Sequence, residues 1–154
     1  MALIGRIFVV IFAVLIASLA AGVVIALGVL GPQWHGLTGD PFERGAFTVT
    51  VFIGAVSTGS IGLLPLAILI GMAEAFKVRS LLAYALAGVA VLMLGYYTSG
   101  MAPPSYEESI DRPPSPVSRE AEIAAASGAV FGLVYWAIAG RGAGRWRERS
   151  GPSA

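Results

Sequence analysis

The sequence predicts an all-α membrane protein whose four transmembrane helices form an antiparallel bundle with both termini in the cytoplasm. Three observations support this fold class: a low content of charged residues, four long apolar segments, and basic residues concentrated in alternate connections. Of the 154 residues, 56% are hydrophobic and 12% are charged, whereas soluble domains carry about 25% charged residues. The composition therefore indicates that the bilayer is the solvent for most of the chain.

Four uncharged segments are long enough to cross the hydrocarbon core as helices, which takes about 20 apolar residues. Their approximate ranges are 7–31, 46–73, 81–100 and 122–140, the last of which is uncharged from Ile123 onward, and residues 1–140 form one predicted transmembrane domain. The first segment follows a basic residue and contains small residues at 17–22, as a cleaved signal peptide would. Its apolar run exceeds the roughly 7–15 residues of a signal-peptide core, so we expect an uncleaved first helix.

The second segment is longer than a span needs and contains Pro65. Proline removes a backbone donor and clashes with the carbonyl one turn earlier, so we expect a bend. The candidate helix-packing or pore-lining residues are Gly54, Ser57, Thr58, Gly59, Ser60, Gly62 and Pro65. Two interpretations remain open. Small residues at spacing four let another helix approach closely, whereas a helix break at 57–65 would offer carbonyls and hydroxyls to an ion or substrate.

Small residues at helical spacing also occur in the other segments. They are Ser18, Gly22 and Ala26 in the first, Ala83 and Ala87 in the third, and Ala124, Gly128 and Gly132 in the fourth. This pattern favours a tight bundle or close contacts with a partner. We expect the bulky side chains of Phe131, Tyr135 and Trp136 to face lipid or a partner, the last two in the interfacial aromatic belt.

The distribution of basic residues predicts the orientation. With four spans, seven basic residues share one side: Arg6, Lys77, Arg79, Arg141, Arg145, Arg147 and Arg149. The other side has three, Arg44, Arg112 and Arg119, and most of the acidic residues. Because short cytoplasmic flanks are enriched in Lys and Arg, both termini are expected in the cytoplasm. The tail 141–154 is expected to be flexible. Its arginines at 141, 145, 147 and 149 suit anionic lipid headgroups, at about 1 kcal/mol each.

The connections differ in character. Residues 31–45 are rich in turn formers and predict an external loop, and residues 101–120 predict a proline-rich acidic external loop. The PPxY pattern at 103–106 is interpreted as part of that loop. In the short connection 74–80, Glu74 and Lys77 lie one helical turn apart and are expected to pair.

The residues that are missing limit the function. Apart from Glu122 at the first position of the fourth range, no Asp, Glu, Lys, Arg or His lies inside a predicted span, which argues against a proton-driven transporter and against acid–base catalysis within the membrane. The chain has no cysteine, and no zinc helix, P-loop or nucleophile elbow is present. We therefore expect no catalytic residue, no cofactor and no metal site. An enzyme acting on lipid would require interfacial groups such as Glu74, Lys77 and Arg79 to converge.

In architecture and composition, the chain resembles small four-span membrane proteins of alphaproteobacteria, which are rich in Gly and Ala and basic at the cytoplasmic end. This resemblance implies a multi-pass location in a cell membrane, with the bacterial inner membrane as the expected one, and it implies no functional residues. We expect an accessory, assembly or structural subunit without catalytic activity. Its expected partners are membrane lipids and either further copies of itself or a larger membrane complex, and not nucleic acid. The alternative is a small oligomeric channel or transporter that uses a helix break at 57–65.

Overall fold

The computed structural model describes residues 2–31, 40–99 and 118–144, and this part of the chain is all-helical. The elements are α1 (Ala2–Leu30), α2 (Pro41–Ala75), α3 (Leu81–Thr98), α4 (Arg119–Ile138) and a 3₁₀ turn (Gly140–Gly142). By length and composition, α1, α3 and α4 can cross a membrane, and α2 is a fourth such span if its two bent limbs are counted together. The expected class, a helical protein with several membrane-length helices, is confirmed at this level.

Several sequence features lie outside the described residues. They are the PPxY pattern at 103–106, the arginines at 145, 147 and 149, and most of the loop 101–120.

Helix α2 begins five residues earlier than predicted, so the predicted loop 31–45 is wrong in its last part. The carboxylate of Asp40 accepts hydrogen bonds from the backbone N–H groups of Phe42 and Glu43. Pro41 occupies the first helical position, where its fixed φ suits the helix and its missing N–H costs nothing. The Asp-Pro dipeptide is therefore a local start signal.

Helix α4 begins at Arg119 rather than at 122, for a similar reason. The hydroxyl of Ser118 accepts a hydrogen bond from the backbone N–H of Ala121. Glu120 and Glu122 lie in the first turn, where negative charge is favourable. Residues 119 and 120 thus belong to the helix and not to the preceding loop. At the other end α4 stops at Ile138, two residues before the predicted boundary.

The predicted bend in α2 is present. The limbs Pro41–Ser60 and Leu64–Ala75 make an angle of 63°. The change of direction falls in the turn that precedes Pro65, where the proline ring crowds the carbonyl one turn earlier. The chain nevertheless stays helical from Pro41 to Ala75.

The helices pack in two close pairs, α1 with α2 and α3 with α4, and α1 also packs along α4. The core lies between α1 and α4: the α1 alanines at 13, 17 and 21 are fully buried against Phe131 and Tyr135. Both rings are 3% exposed. The expectation that they face lipid or a partner is therefore wrong. The short alanine side chains leave space that the large rings of α4 fill, and such close filling is typical of protein interiors.

The turn between α2 and α3 is compact and closes with a left-handed residue. The N–H of Val78 bonds to the carbonyl of Ala73, and Lys77 between them has φ +54°. This is a Schellman-type helix end, in which the left-handed position is usually glycine. Gly144 passes directly beside it: a Cβ atom on Gly144 would lie 2.6 Å from Cγ of Lys77. The end of α2 is therefore in contact with the segment after α4.

Candidate functional site

The predicted stretch of α2 contacts α1 through its first glycine. A Cβ atom built on Gly54 would lie 3.2 Å from Cα of Gly22, and one built on Gly22 would lie 2.9 Å from the backbone N of Ala55. Such short distances mean that the two backbones touch, which a larger residue at either position would prevent. This part of the stretch packs inside the chain.

The other candidate residues of α2 face different surroundings. Thr58 is buried, Gly59 lies nearest to the Ser18 hydroxyl of α1, and Gly62 is beside Val91 of α3. Ser60 is exposed and donates to the carbonyl of Ser57 at 3.2 Å. The residues therefore do not converge on one polar site.

The small residues of α3 and α4 also meet backbone to backbone. A Cβ atom on Gly128 would lie 2.5 Å from the carbonyl oxygen of Gly88 and 2.8 Å from Cα of Val89. One turn further along α4, a Cβ atom on Gly132 would lie 2.7 Å from the carbonyl carbon of Tyr84. The Gly128–Gly132 spacing is the small-xxx-small pattern of closely packed membrane helices. In this protein the pattern forms a contact between two helices of the same chain.

A large apolar groove separates α1 from α2 on either side of the bend. It has a volume of about 1050 Å³ and is lined by α1 residues 10–19 and α2 residues 52–71. Small residues line its α2 wall: Ala55, Gly59, Ser60, Ala67 and Gly71. Ser18, 7% exposed, lines the α1 wall, and its hydroxyl has no hydrogen-bond partner among the residues that the structure describes. The groove is thus wide and apolar, with large side chains along α1 and several small residues on its α2 wall.

A polar cluster joins three helix ends at one end of the molecule, which we call the basic end. Arg6 of α1 forms an ion pair with Glu74 of α2, with Nε 2.8 Å from Oε1, and also donates to the carbonyl of Ala139 at 2.7 Å. The second carboxylate oxygen of Glu74 accepts the N–H of Gly144 at 2.8 Å. The two charged side chains are 14% and 15% exposed. The pair therefore connects α1, α2 and the segment after α4.

The sequence-based expectation paired Glu74 with Lys77, and the ion pair between Glu74 and Arg6 was not predicted. Arg6 lies 68 residues away along the chain, and no local spacing rule reaches that far. The carboxylate of Glu74 is held by Arg6 and Gly144 in bonds that fix helix ends. The arrangement gives no support to a lipid-processing site built on Glu74.

A second set of contacts at the basic end fixes the α2–α3 connection against α4. Nε of Arg79 donates to the carbonyl of Ala143 at 3.2 Å, and the indole N–H of Trp136 donates to the carbonyl of Arg79 at 2.8 Å. The guanidinium of Arg141 stacks on Trp136, 4.5 Å from the ring centroid, a cation–π geometry. Two arginines therefore flank one indole at the end of α4.

The opposite end is joined by a cation at a helix C-terminus. Arg119 donates to the carbonyl of Gly28 at 2.9 Å, where the dipole of α1 is negative and a positive charge is favourable. The hydroxyls of Tyr96 and Ser118 lie 3.2 Å apart and bond the end of α3 to the start of α4. Each of the four helices is thus joined to a neighbouring helix, near at least one of its ends, by a side-chain hydrogen bond or ion pair.

Within residues 2–31, 40–99 and 118–144, no group of three or more His, Asp or Glu side chains is placed to hold a metal ion. Comparisons with protein-family models, curated proteins and solved structures found no match to this chain.

Proposed function

We propose that this chain is a non-enzymatic integral membrane subunit that assembles with further copies of itself or within a larger membrane complex. We propose that in the membrane the chain forms an antiparallel bundle of four transmembrane helices, with both termini in the cytoplasm. The bacterial inner membrane is the expected compartment.

The contacts at the helix ends support the antiparallel arrangement. The start of α1, the end of α2, the start of α3 and the segment after α4 all meet at the basic end, through Arg6, Glu74, Arg79 and Ala143. The end of α1 meets the start of α4 at the opposite end. Consecutive helices then run in opposite directions. The basic end carries Arg6, Lys77, Arg79 and Arg141, which favours the cytoplasmic side.

The observation that carries the assembly proposal is the groove between α1 and α2. The glycine pairs Gly22–Gly54 and Gly88–Gly128 are already occupied within the chain, so a partner needs another small-residue surface. The groove offers one, since a Cβ atom on Gly71 would meet nothing within 4 Å. In lipid, helices associate through close packing and interhelical hydrogen bonds. The hydroxyl of Ser18 supplies a donor at this surface.

The test is the mass of the native particle after extraction in mild detergent. We expect the wild type to travel as more than one chain or with another protein. Gly71→Phe should place a bulky ring in the groove, hinder a partner helix and release a single chain. Gly45→Phe is the matched control, because Gly45 is exposed on α2 and also has nothing within 4 Å of its Cβ position. A wild type that is strictly monomeric, or a Gly71→Phe variant with unchanged partners, would contradict the proposal.

The second candidate is the small channel or transporter, which the 63° bend at Ser60–Leu64 favours. The helical course of α2 from Pro41 to Ala75 counts against it, because helical carbonyls are already bonded and few remain for an ion. Ion flux into liposomes, compared between the wild type and the triple variant Ser57→Ala/Thr58→Ala/Ser60→Ala, separates the two candidates. Flux that the triple variant abolishes would favour the channel.

A further inference from the structure

A second cavity lies between the C-terminal limb of α2 and the α3–α4 pair. Its volume is about 220 Å³. Its walls are formed by side chains of α2, the α2–α3 connection, α3 and α4, among them Leu69, Phe76, Val78, Ala87 and Phe131. The lining is almost entirely apolar. The cavity therefore suits a hydrocarbon chain far better than a polar solute, which would lose its hydrogen bonds to water there.

One polar side chain in the cavity wall has no hydrogen-bond partner among the residues that the structure describes. Tyr135 lines the cavity and is 3% exposed. Across the described part of the chain, its hydroxyl has no hydrogen bond. The neighbouring hydroxyl of Tyr84, by contrast, donates to the carbonyl of Val78 at 3.1 Å. A buried hydroxyl without a partner is costly, and a lipid whose ester carbonyl reached Tyr135 would supply an acceptor.

Basic residues adjoin the part of the cavity wall that Val78 forms. Val78 lines the cavity, and the residues on either side of it, Lys77 and Arg79, are exposed. Trp136 bonds to the backbone of Arg79 and carries the stacked guanidinium of Arg141. The described acidic residue of this end, Glu74, is paired with Arg6. Because the described part of this end also contains Lys77, Arg79 and Arg141, its net charge is positive.

We propose that this cavity and its basic rim form a binding site for one anionic phospholipid. A segment of one acyl chain occupies the apolar cavity, and the phosphate lies at the rim formed by Lys77, Arg79 and Arg141. The charges favour an anionic headgroup, because basic residues near the membrane surface attract anionic lipids. The site rests on the membrane location proposed above and is independent of the α1–α2 groove.

The experiment is native mass spectrometry of the purified full-length protein with added dioleoyl phosphatidylglycerol or dioleoyl phosphatidylcholine. The wild type should bind phosphatidylglycerol, the anionic lipid, more tightly than phosphatidylcholine. Lys77→Gln and Arg79→Gln should each weaken phosphatidylglycerol binding about fivefold and leave phosphatidylcholine unchanged. Glutamine keeps most of each side-chain stem. Arg44→Gln is the control, since it removes one charge at the opposite end of α2.

The cavity is tested separately from the charges. Ala87→Phe should fill the cavity and lower the binding of both lipids. Ala90→Phe, exposed on the same helix and outside the cavity lining, should change neither. Equal binding of the two lipids by the wild type, or full lipid binding by Ala87→Phe, would overturn the proposal. The same spectra report the number of chains in the particle, so failure of the assembly proposal is seen independently.

Discussion

The close contact between α3 and α4 predicts a large effect for a single added methyl group. In Gly128→Ala, the new Cβ atom would lie 2.5 Å from the carbonyl oxygen of Gly88, against 3.4 Å for the onset of ordinary contact. The atom opposing it belongs to backbone, so no side chain can rotate away. The helices must separate by about 0.9 Å, and a gap of this size forfeits roughly a quarter to a half of the dispersion energy of each contact across it. We expect a loss of about 1–3 kcal/mol in stability.

The assay is reversible unfolding in mixed detergent, followed by helical circular dichroism as the fraction of denaturing detergent rises. The matched control is Gly45→Ala, because a Cβ atom on Gly45 meets nothing within 4 Å. Alanine has the higher helix propensity, so this control should be at least as stable as the wild type. The reasoning is refuted if Gly128→Ala unfolds at the same midpoint as the wild type.

Three further substitutions test the ion pair, the cap of α2 and the bend in α2. Glu74→Gln should lower the unfolding free energy by about 2 kcal/mol, because its arginine partner loses a charged hydrogen-bond acceptor; an unchanged unfolding midpoint would argue against the ion pair. Asp40→Ala should cost about 1 kcal/mol and speed amide exchange in the first turn of α2; unaltered exchange would contradict its capping role. Pro65→Ala should straighten α2 and lengthen the distance between spin labels at Val49 and Met72 by about 5 Å, from the helical rise and the observed angle; an unchanged distance would show that packing, and not the proline, causes the bend.

Local rules predicted much of the helical architecture. The lengths of the apolar segments predicted the four helices, and Pro65 predicted the position of the bend in α2. Small-residue spacing marked Gly54 and Gly128 as close-contact positions, and both touch the backbone of a neighbouring helix. The start of α2 was predicted too late because the Asp-Pro pair at 40–41, which caps the helix, was interpreted as part of a loop rich in turn formers.

Contacts between residues that lie far apart along the chain could not be predicted from the sequence, for physical reasons. A helix that is apolar all round has no hydrophobic face to identify, so the burial of Phe131 and Tyr135 could not be separated from lipid exposure. The partner of Glu74 was equally hidden, because the ion pair to Arg6 forms only after three helices have packed. The groove and the smaller apolar cavity depend on the angle between the limbs of α2, which the presence of a proline does not specify.

The assembly proposal is tested most directly by cross-linking in native membranes. The chain has no cysteine of its own, so Ala67→Cys places one thiol in the α1–α2 groove. Leu82→Cys, on the exposed surface of α3, reports random collisions. A short thiol-reactive cross-linker should join the groove variant to a second copy or to another membrane protein, in a yield well above that of the control. A groove variant that stays monomeric, or that cross-links no better than the control, would contradict the account.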